Sequence, residues 1–421
     1  MGPRQNPSPV PFFRPEITDA EIAEVVASLK SGWLTTGPRV RRFEEGLAQA
    51  VGASHAVALN SCTAALHLAI EALGLAAGEA VLVPTMTFAA SAEVVRYFGG
   101  IPILVDCEET TGNMDLEDAA RKVADLRNGR LSAALRPDAR LVGIIPVHVG
   151  GRMMDPAAVR AFAQREGLWV VEDAAHAFPA AWRPNSGAAW QRCGENTADV
   201  TCFSFYANKT ITTGEGGMAV TEKAALAERM RLMSLHGLSR DAWDRYSGGG
   251  WDYRIVAAGY KYNLTDLAAA IGIRQLEKAE AMRGRRERVA SFYRNAFAEL
   301  DELEVPQEDP DRIHAWHLFP IRLNLEKLSV GRDEFIEELK REGIGSSVHW
   351  RPLHLHPYYQ ETFGWSPEEL PVASALWVRL VSLPLFPSMR REEMERVAET
   401  IRTLCGRFGR SAMTATARGA R

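Results

Sequence analysis

Between His55 and Thr221 the chain returns repeatedly to short, almost wholly apolar runs. They are HAVAL (55–59), AVLVP (80–84), PILVD (102–106), LVGIIPV (141–147), LWVVE (168–172), VTCFSF (200–205) and GMAVT (217–221). Runs this short, with little polar alternation, suit strands buried on both faces, and such burial is the habit of parallel sheets. Helical segments stand between them. The β-α-β-α order predicts an α/β domain over 1–305, built on a mainly parallel seven-stranded sheet. A first helix is expected after Thr18, where TDAE fits a capping box, with Ile22, Val25, Val26 and Leu29 as its apolar stripe and Gly32 as its stop. A long helical pattern runs from Thr265 to about Leu300, and the prolines and acids of DELEVPQEDPDRIH (301–314) break it. The segment 306–410 reads as a smaller α+β domain, and 411–421, small and polar, as a disordered tail.

Composition narrows the function. Apolar residues make up 46% of the 421 and charged residues 24%, with a formal net charge of -4. That balance gives no support for a nucleic-acid partner, and the basic run RGRRER (283–288) reads as a solvated helix face. No apolar run approaches the ~20 residues that span a bilayer. The proline-rich start has no apolar segment of the signal-peptide kind. The five cysteines, Cys62, Cys107, Cys193, Cys202 and Cys405, are scattered without a CxxC spacing, so a reduced cytoplasmic protein without structural zinc is expected.

Three places carry chemistry. In FSFYANKTITTGEGG (203–217), Lys209 lies between an apolar run and the turn-forming Gly214, Gly216 and Gly217, an unusual setting for a solubilising charge. In NSCTAALHLAIEALG (60–74) a strand gives way to a helix, and N–H groups at Cys62, Thr63 and Ala64 point out of its start. A simple cap and an anion site both satisfy that pattern. In VVEDAAHA (170–177), Asp173 ends a buried strand, where ligands gather in open α/β sheets; it reads either as a turn cap or as a ligand group. Together the three supply what pyridoxal phosphate needs: an anion site, a carboxylate for the pyridine nitrogen and a desolvated amine.

With those segments in order, the chain resembles the DegT/DnrJ/StrS family of pyridoxal-phosphate-dependent sugar aminotransferases over about 12–405. Further support comes from SGWLTTGPRVRRFEEGLA (31–48), VPTMTFAASAEVV (83–95), HGLSRDAWDR (236–245), GYKYNLTDLAAAIGIRQLEK (259–278), LHLHPYY (353–359) and SLPLFPSM (382–389). The resemblance implies the fold type I aminotransferase architecture and a homodimer with shared active sites. It makes Lys209 the Schiff-base lysine and Asp173 the partner of the pyridine nitrogen. Cys62, Thr63 and Ser204 become phosphate ligands, Phe88 a ring against the cofactor face, and His176 a partner of its hydroxyl. Asn263 becomes a residue reaching the neighbour's phosphate, with Lys261 as an alternative there. The implied reaction moves an amine from an amino acid, such as glutamate, to a keto-sugar, and GYKYNLTD and SLPLFPSM resemble the branch acting on UDP-4-keto sugars.

The alternatives are a cyclitol aminotransferase, a dehydratase of the same family and a non-catalytic regulator that binds the cofactor. Lys209 argues against the dehydratase, and the lack of a spare DNA-binding segment argues against the regulator. Two departures stand out: AAWRPNSGAAWQRCGENTADV (180–200), an ordered excursion, and the glycine-rich stretch within 245–263, a flap or a peripheral loop. In VHWRPLHLHP, His349, His354 and His356 crowd together without an acid or cysteine at ligand spacing, which favours substrate contact or loop structure over a metal. His349 and Arg351 are the substrate candidates.

Overall fold

The computed structural model describes residues 8–131, 135, 139–239 and 253–410. The tail at 411–421 and the glycines of the expected flap lie outside them. All seven apolar runs enter one sheet. Its strands are β1 (His55–Leu59), β2 (Ala80–Pro84), β3 (Ile101–Val105), β4 (Leu141–Ile144), β5 (Trp169–Asp173), β6 (Val200–Ser204) and β7 (Gly217–Thr221). The spatial order is β1-β7-β6-β5-β4-β2-β3, and only β7 runs antiparallel to its neighbours. β2, β3 and β7 are buried at every position, as their unbroken apolar character requires. Pro102 is tolerated because β3 is an edge strand. Four strands differ from expectation at their carboxyl ends: β3 and β6 each stop one residue early, at Val105 and Ser204. β4 stops at Ile144, with Val147 keeping a single bridge to Asp173, and β5 runs one residue further, to Asp173 itself.

Helices cover the sheet. They include α1 (Asp19–Ser31), α2 (Pro38–Val51), α3 (Cys62–Ala72) and α4 (Ala90–Tyr97). The capping box of Thr18 and Glu21 forms, and Gly32 ends α1 at φ 72°. The expected apolar stripe, however, faces outward. α1 buries Glu21 and Ser28, while Ile22 and Leu29 remain 55% and 52% exposed. Glu21 is held by Lys278 at 2.6 Å and by Gln275, so the helix docks through a polar contact rather than through its stripe.

The long helical pattern is two helices, Asp266–Glu277 and Ala279–Phe297, broken at Lys278. The basic run in the second is not a uniformly solvated face. Arg286 is buried, donates to the carbonyls of Trp316 (3.3 Å) and Leu385 (3.1 Å), and burial draws its pKa to about 10. That helix lends Val289, Ala290, Tyr293 and Phe297 to a second apolar core. The same core holds an antiparallel sheet of Leu303–Glu304, Phe319–Leu323 and Leu380–Leu383, together with the helices Arg332–Arg341 and Arg391–Phe408. Val10 joins it through a bridge to Ile344. The excursion at 180–200 is ordered: residues 181–182 pair with 191–192 and with 312–313, and Arg183 lies 4.5 Å over the ring of Trp190.

Candidate active site

The carboxyl ends of β5 and β6 and the start of α3 open onto one cavity of about 480 Å³. Ser61 caps α3 by accepting from the Ala64 N–H (3.0 Å). The N–H groups of Cys62 and Thr63, in the first turn, have no acceptor within the helix. β7 begins against this turn. A Cβ at Gly217 would lie 2.4 Å from the Cys62 nitrogen, so only glycine lets the strand and helix start approach so closely. The result is a pair of donors at the positive end of a helix dipole, beside the Ser204 hydroxyl, suited to a phosphate. The Cys62 side chain is turned away, toward the Cys202 carbonyl (3.7 Å). Burial, then the nearby Asp173 carboxylate, pushes its thiol pKa well up, so Cys62 serves the site through its backbone.

Asp173 is buried and already partnered. Its Oδ2 accepts from the Ser91 hydroxyl (2.7 Å) and its Oδ1 from the Ala175 N–H (3.1 Å). Because Ser91 spends its proton on Asp173, the 2.8 Å contact to Thr87 must have Thr87 as donor. This relay fixes the orientation of the carboxylate. Lys209 sits on a loop folded back on itself: its N–H bonds the Tyr206 carbonyl (2.9 Å), Thr213 N–H bonds Phe205 (2.9 Å), and Gly214 turns at φ 82°. The side chain is partly reachable from the cavity yet surrounded by protein. Desolvation lowers its pKa to about 8, with Asp173 opposing the shift.

His176 accepts from the Gly150 N–H at Nδ1 (3.3 Å), which leaves Nε2 as the N–H donor. Burial, then Lys209, keeps this imidazole neutral by driving its pKa well down. Trp350 stacks on His176 at 5.0 Å and 15°. Phe88, 64% exposed, presents a free ring at the cavity rim. His349 is oriented by Ser382 (2.9 Å) and by stacking on Phe12 (5.6 Å), and burial lowers its pKa to about 4.

Eight expected residues therefore line one cavity: Cys62, Thr63, Phe88, Asp173, His176, Ser204, Lys209 and His349. Two do not. Arg351 is exposed and donates to the Leu355 carbonyl (3.0 Å). Asn263 donates to Thr36 (2.8 Å) and accepts from Lys261. The other crowded histidines part company: His354 is buried between Thr85 (2.7 Å) and Ser374 (2.8 Å), and His356 bonds the Arg351 carbonyl (3.3 Å). The sequence reading missed Ser91, Thr87, Trp350 and His317. Ser91 was within reach, as a hydroxyl three residues beyond Phe88 in the first turn of α4.

Among the described residues, one group brings three metal-type ligands together: His148, Glu172 and Cys193, all buried. The His148 Nδ1 accepts from the Met154 N–H (3.2 Å), so Nε2 carries the proton and points it at Glu172, 3.6 Å away. Glu172 also accepts from Thr197 (2.6 Å) and Thr201 (2.7 Å). The His148 Nε2 closes no hydrogen bond at that distance, and with Nδ1 already accepting, the cluster has no free imidazole lone pair for an ion.

An anion cradle, a braced carboxylate, a softened lysine and an open aromatic face fit pyridoxal phosphate, and on this sheet they define a pyridoxal-phosphate-dependent aminotransferase of fold type I. The chain belongs to the DegT/DnrJ/EryC1/StrS aminotransferase family, whose family model matches residues 15–402. It is 42% identical over 397 residues to the spore coat polysaccharide biosynthesis protein SpsC of Bacillus subtilis, covering 94% of this chain and 97% of that protein. Among solved structures, Spr1654 from Streptococcus pneumoniae in its PLP form aligns with a TM-score of 0.83 at 30% identity, over 95% of this chain and 99% of that one. The sugar aminotransferase CalS13 from Micromonospora echinospora aligns with a TM-score of 0.79 at 28% identity, over 94% and 99%.

Proposed function

We propose that the protein moves the amino group of an amino acid, with glutamate as donor, onto the ketone of a nucleotide-linked 4-keto-sugar. The product is an amino-sugar for a polysaccharide or a glycosylated metabolite. One observation carries the reading. Beyond the groups suited to the cofactor, the cavity wall includes His317, His349 and Trp350, with no arginine among the described lining residues. Neutral imidazoles and an indole face suit the hydroxyls and the ring of a sugar. SpsC, a spore coat polysaccharide biosynthesis protein, and CalS13, a sugar aminotransferase, point the same way.

When bound, pyridoxal phosphate supplies an aldehyde that carries the amino group and a ring that draws electrons from the substrate carbon. The chain's residues position and protonate. Cys62 and Thr63 N–H groups with Ser204 would hold the phosphate, and Phe88 would cover the ring. Asp173 would keep a proton on the ring nitrogen, and His176 would donate from Nε2 to the ring oxygen. Lys209, at a pKa of about 8, has a neutral fraction near neutral pH, so Nζ can take a proton from the substrate carbon and return it.

The test is to convert the protein to its pyridoxamine form with glutamate and add UDP-4-keto-hexose, UDP-4-keto-pentose or keto-inositol. Loss of the pyridoxamine band with a nucleotide sugar is expected. Reaction with keto-inositol alone would select the cyclitol reading, and no band shift with glutamate would rule out glutamate as the donor.

We also propose a homodimer with shared sites. The outward Ile22, Val26 and Leu29, with Phe88 and Tyr206 exposed at the cavity rim, offer an apolar surface for a second copy. A Lys209→Ala chain mixed with a Lys261→Ala, Asn263→Ala chain should regain activity in the mixed dimer, and no recovery after verified subunit exchange would count against sharing. The five cysteines are all free thiols, which suits a cytoplasmic location.

A further inference from the structure

Two described residues of the cavity lining keep buried polar atoms without a partner, Asn208 at Oδ1 and, at both ring nitrogens, His317. His317 is 5% exposed, and neither Nδ1 nor Nε2 has a hydrogen-bond partner. A buried polar atom left without a partner is costly, so two on one ring call for an explanation. Its ring lies 4.1 Å from that of His176 and shares the cavity with Lys209 and His349. The backbone holds it there firmly. The His317 N–H bonds the Gly150 carbonyl (3.0 Å), and the preceding Trp316 is in the left-handed region at φ 50°, a rare conformation for a bulky residue. Burial, the neighbouring His176 and Lys209 all disfavour the imidazolium, so the ring is neutral, with one N–H donor and one acceptor nitrogen.

Among the cavity's other polar groups, Asp173 is matched to the ring nitrogen, His176 to the ring oxygen, and the start of α3 with Ser204 to the phosphate; Asn208, Glu215 and His349 also line it. A donor's carboxylate only accepts hydrogen bonds, which would leave one nitrogen of His317 unused. A ring hydroxyl both donates and accepts, so it can pair with whichever nitrogen of His317 faces the substrate. We propose that His317 is a specificity-determining residue that reads the hydroxyl groups of the acceptor ring. This rests on the polyol-ketone reading given above.

The test compares acceptors on the pyridoxamine form of the holoenzyme. The polyol ketones are UDP-4-keto-hexose and keto-inositol, and 2-oxoglutarate is the acceptor without ring hydroxyls. His317→Leu should lower kcat/KM for the polyol ketone at least tenfold more than for 2-oxoglutarate. His317→Gln, which keeps a donor and an acceptor, should recover most of that difference, and the cofactor band of each variant reports an intact site. If the wild type accepts a polyol ketone but His317→Leu loses both acceptors equally, or loses neither, the role of His317 is overturned while the acceptor reading stands. If the wild type accepts only 2-oxoglutarate, the acceptor reading fails and the proposal falls with it.

Discussion

The two walls of the cavity are built to different standards. On the strand-end wall, Asp173 already has two donors, Ser91 is set by Thr87, and the Lys209 loop is closed by its own backbone bonds. On the wall supplied by residues 314–318 and 348–350, His317 has two unpartnered nitrogens. A second buried histidine sharpens the contrast, because both nitrogens of His354 are bonded, to Thr85 and Ser374. One wall is finished within the chain except at Asn208, whose Oδ1 is buried without a partner, as suits a cofactor that stays. The other is left open, as suits substrates that come and go.

The largest effect should come from the finished wall. Lys209→Ala should abolish glutamate-dependent oxo-acid formation while the far-UV circular dichroism and the melting transition persist. Full activity in this variant would remove Lys209 from the reaction. Asp173→Asn should come next. A charge-assisted hydrogen bond of roughly 1.5–3 kcal/mol converts to a loss of about 10- to 150-fold in kcat, with a smaller loss in cofactor affinity. A normal turnover number would mean that the brace of Ser91 and Ala175 holds Asp173 for another purpose.

Both of those residues were visible in the sequence, and the reason is local. Strand ends, a helix start and a glycine-flanked lysine are features of neighbouring residues, so VVEDAAHA, NSCTAALHLAIEALG and FSFYANKTITTGEGG each announce themselves. His317 and Trp350 do not, because their place depends on how the second core swings residues 314–318 and 348–350 onto the first. Burial also misled where a partner lay far along the chain. Arg286 looked solvated until Trp316 and Leu385 supplied carbonyls, and the stripe of α1 looked inward until Gln275 and Lys278 claimed Glu21 instead.

A smaller effect tests the open wall against the packed histidine. His354→Leu takes the ring partner from the Thr85 hydroxyl, while Ser374 keeps the Leu370 carbonyl (2.9 Å), and should cost about 1–3 kcal/mol in urea unfolding, with the preference among acceptors unchanged. A changed preference would mean that His354 also reads substrate.

The smallest effect concerns pH. Lys209 must lose its proton to react with the aldehyde of pyridoxal phosphate, and its pKa is lowered to about 8. The rate at which apo-protein takes up the cofactor should rise with pH and level off above about 8. The same shift affects stability. Between about 8 and the usual lysine value the unfolded chain binds the extra proton, so the apo-protein should gain stability as pH rises through that window, and Lys209→Met should remove the gain. An uptake rate still climbing tenfold per pH unit at pH 10 would mean that the lysine is not desolvated.

The central claim is that the finished wall holds pyridoxal phosphate at Lys209. Borohydride treatment of the cofactor-loaded protein, followed by peptide mass mapping, reads it directly. The account predicts a single pyridoxyl mark on the peptide carrying Lys209, lost in Lys209→Ala. A mark on Lys223 or Lys261, or a mark that survives the substitution, would contradict it.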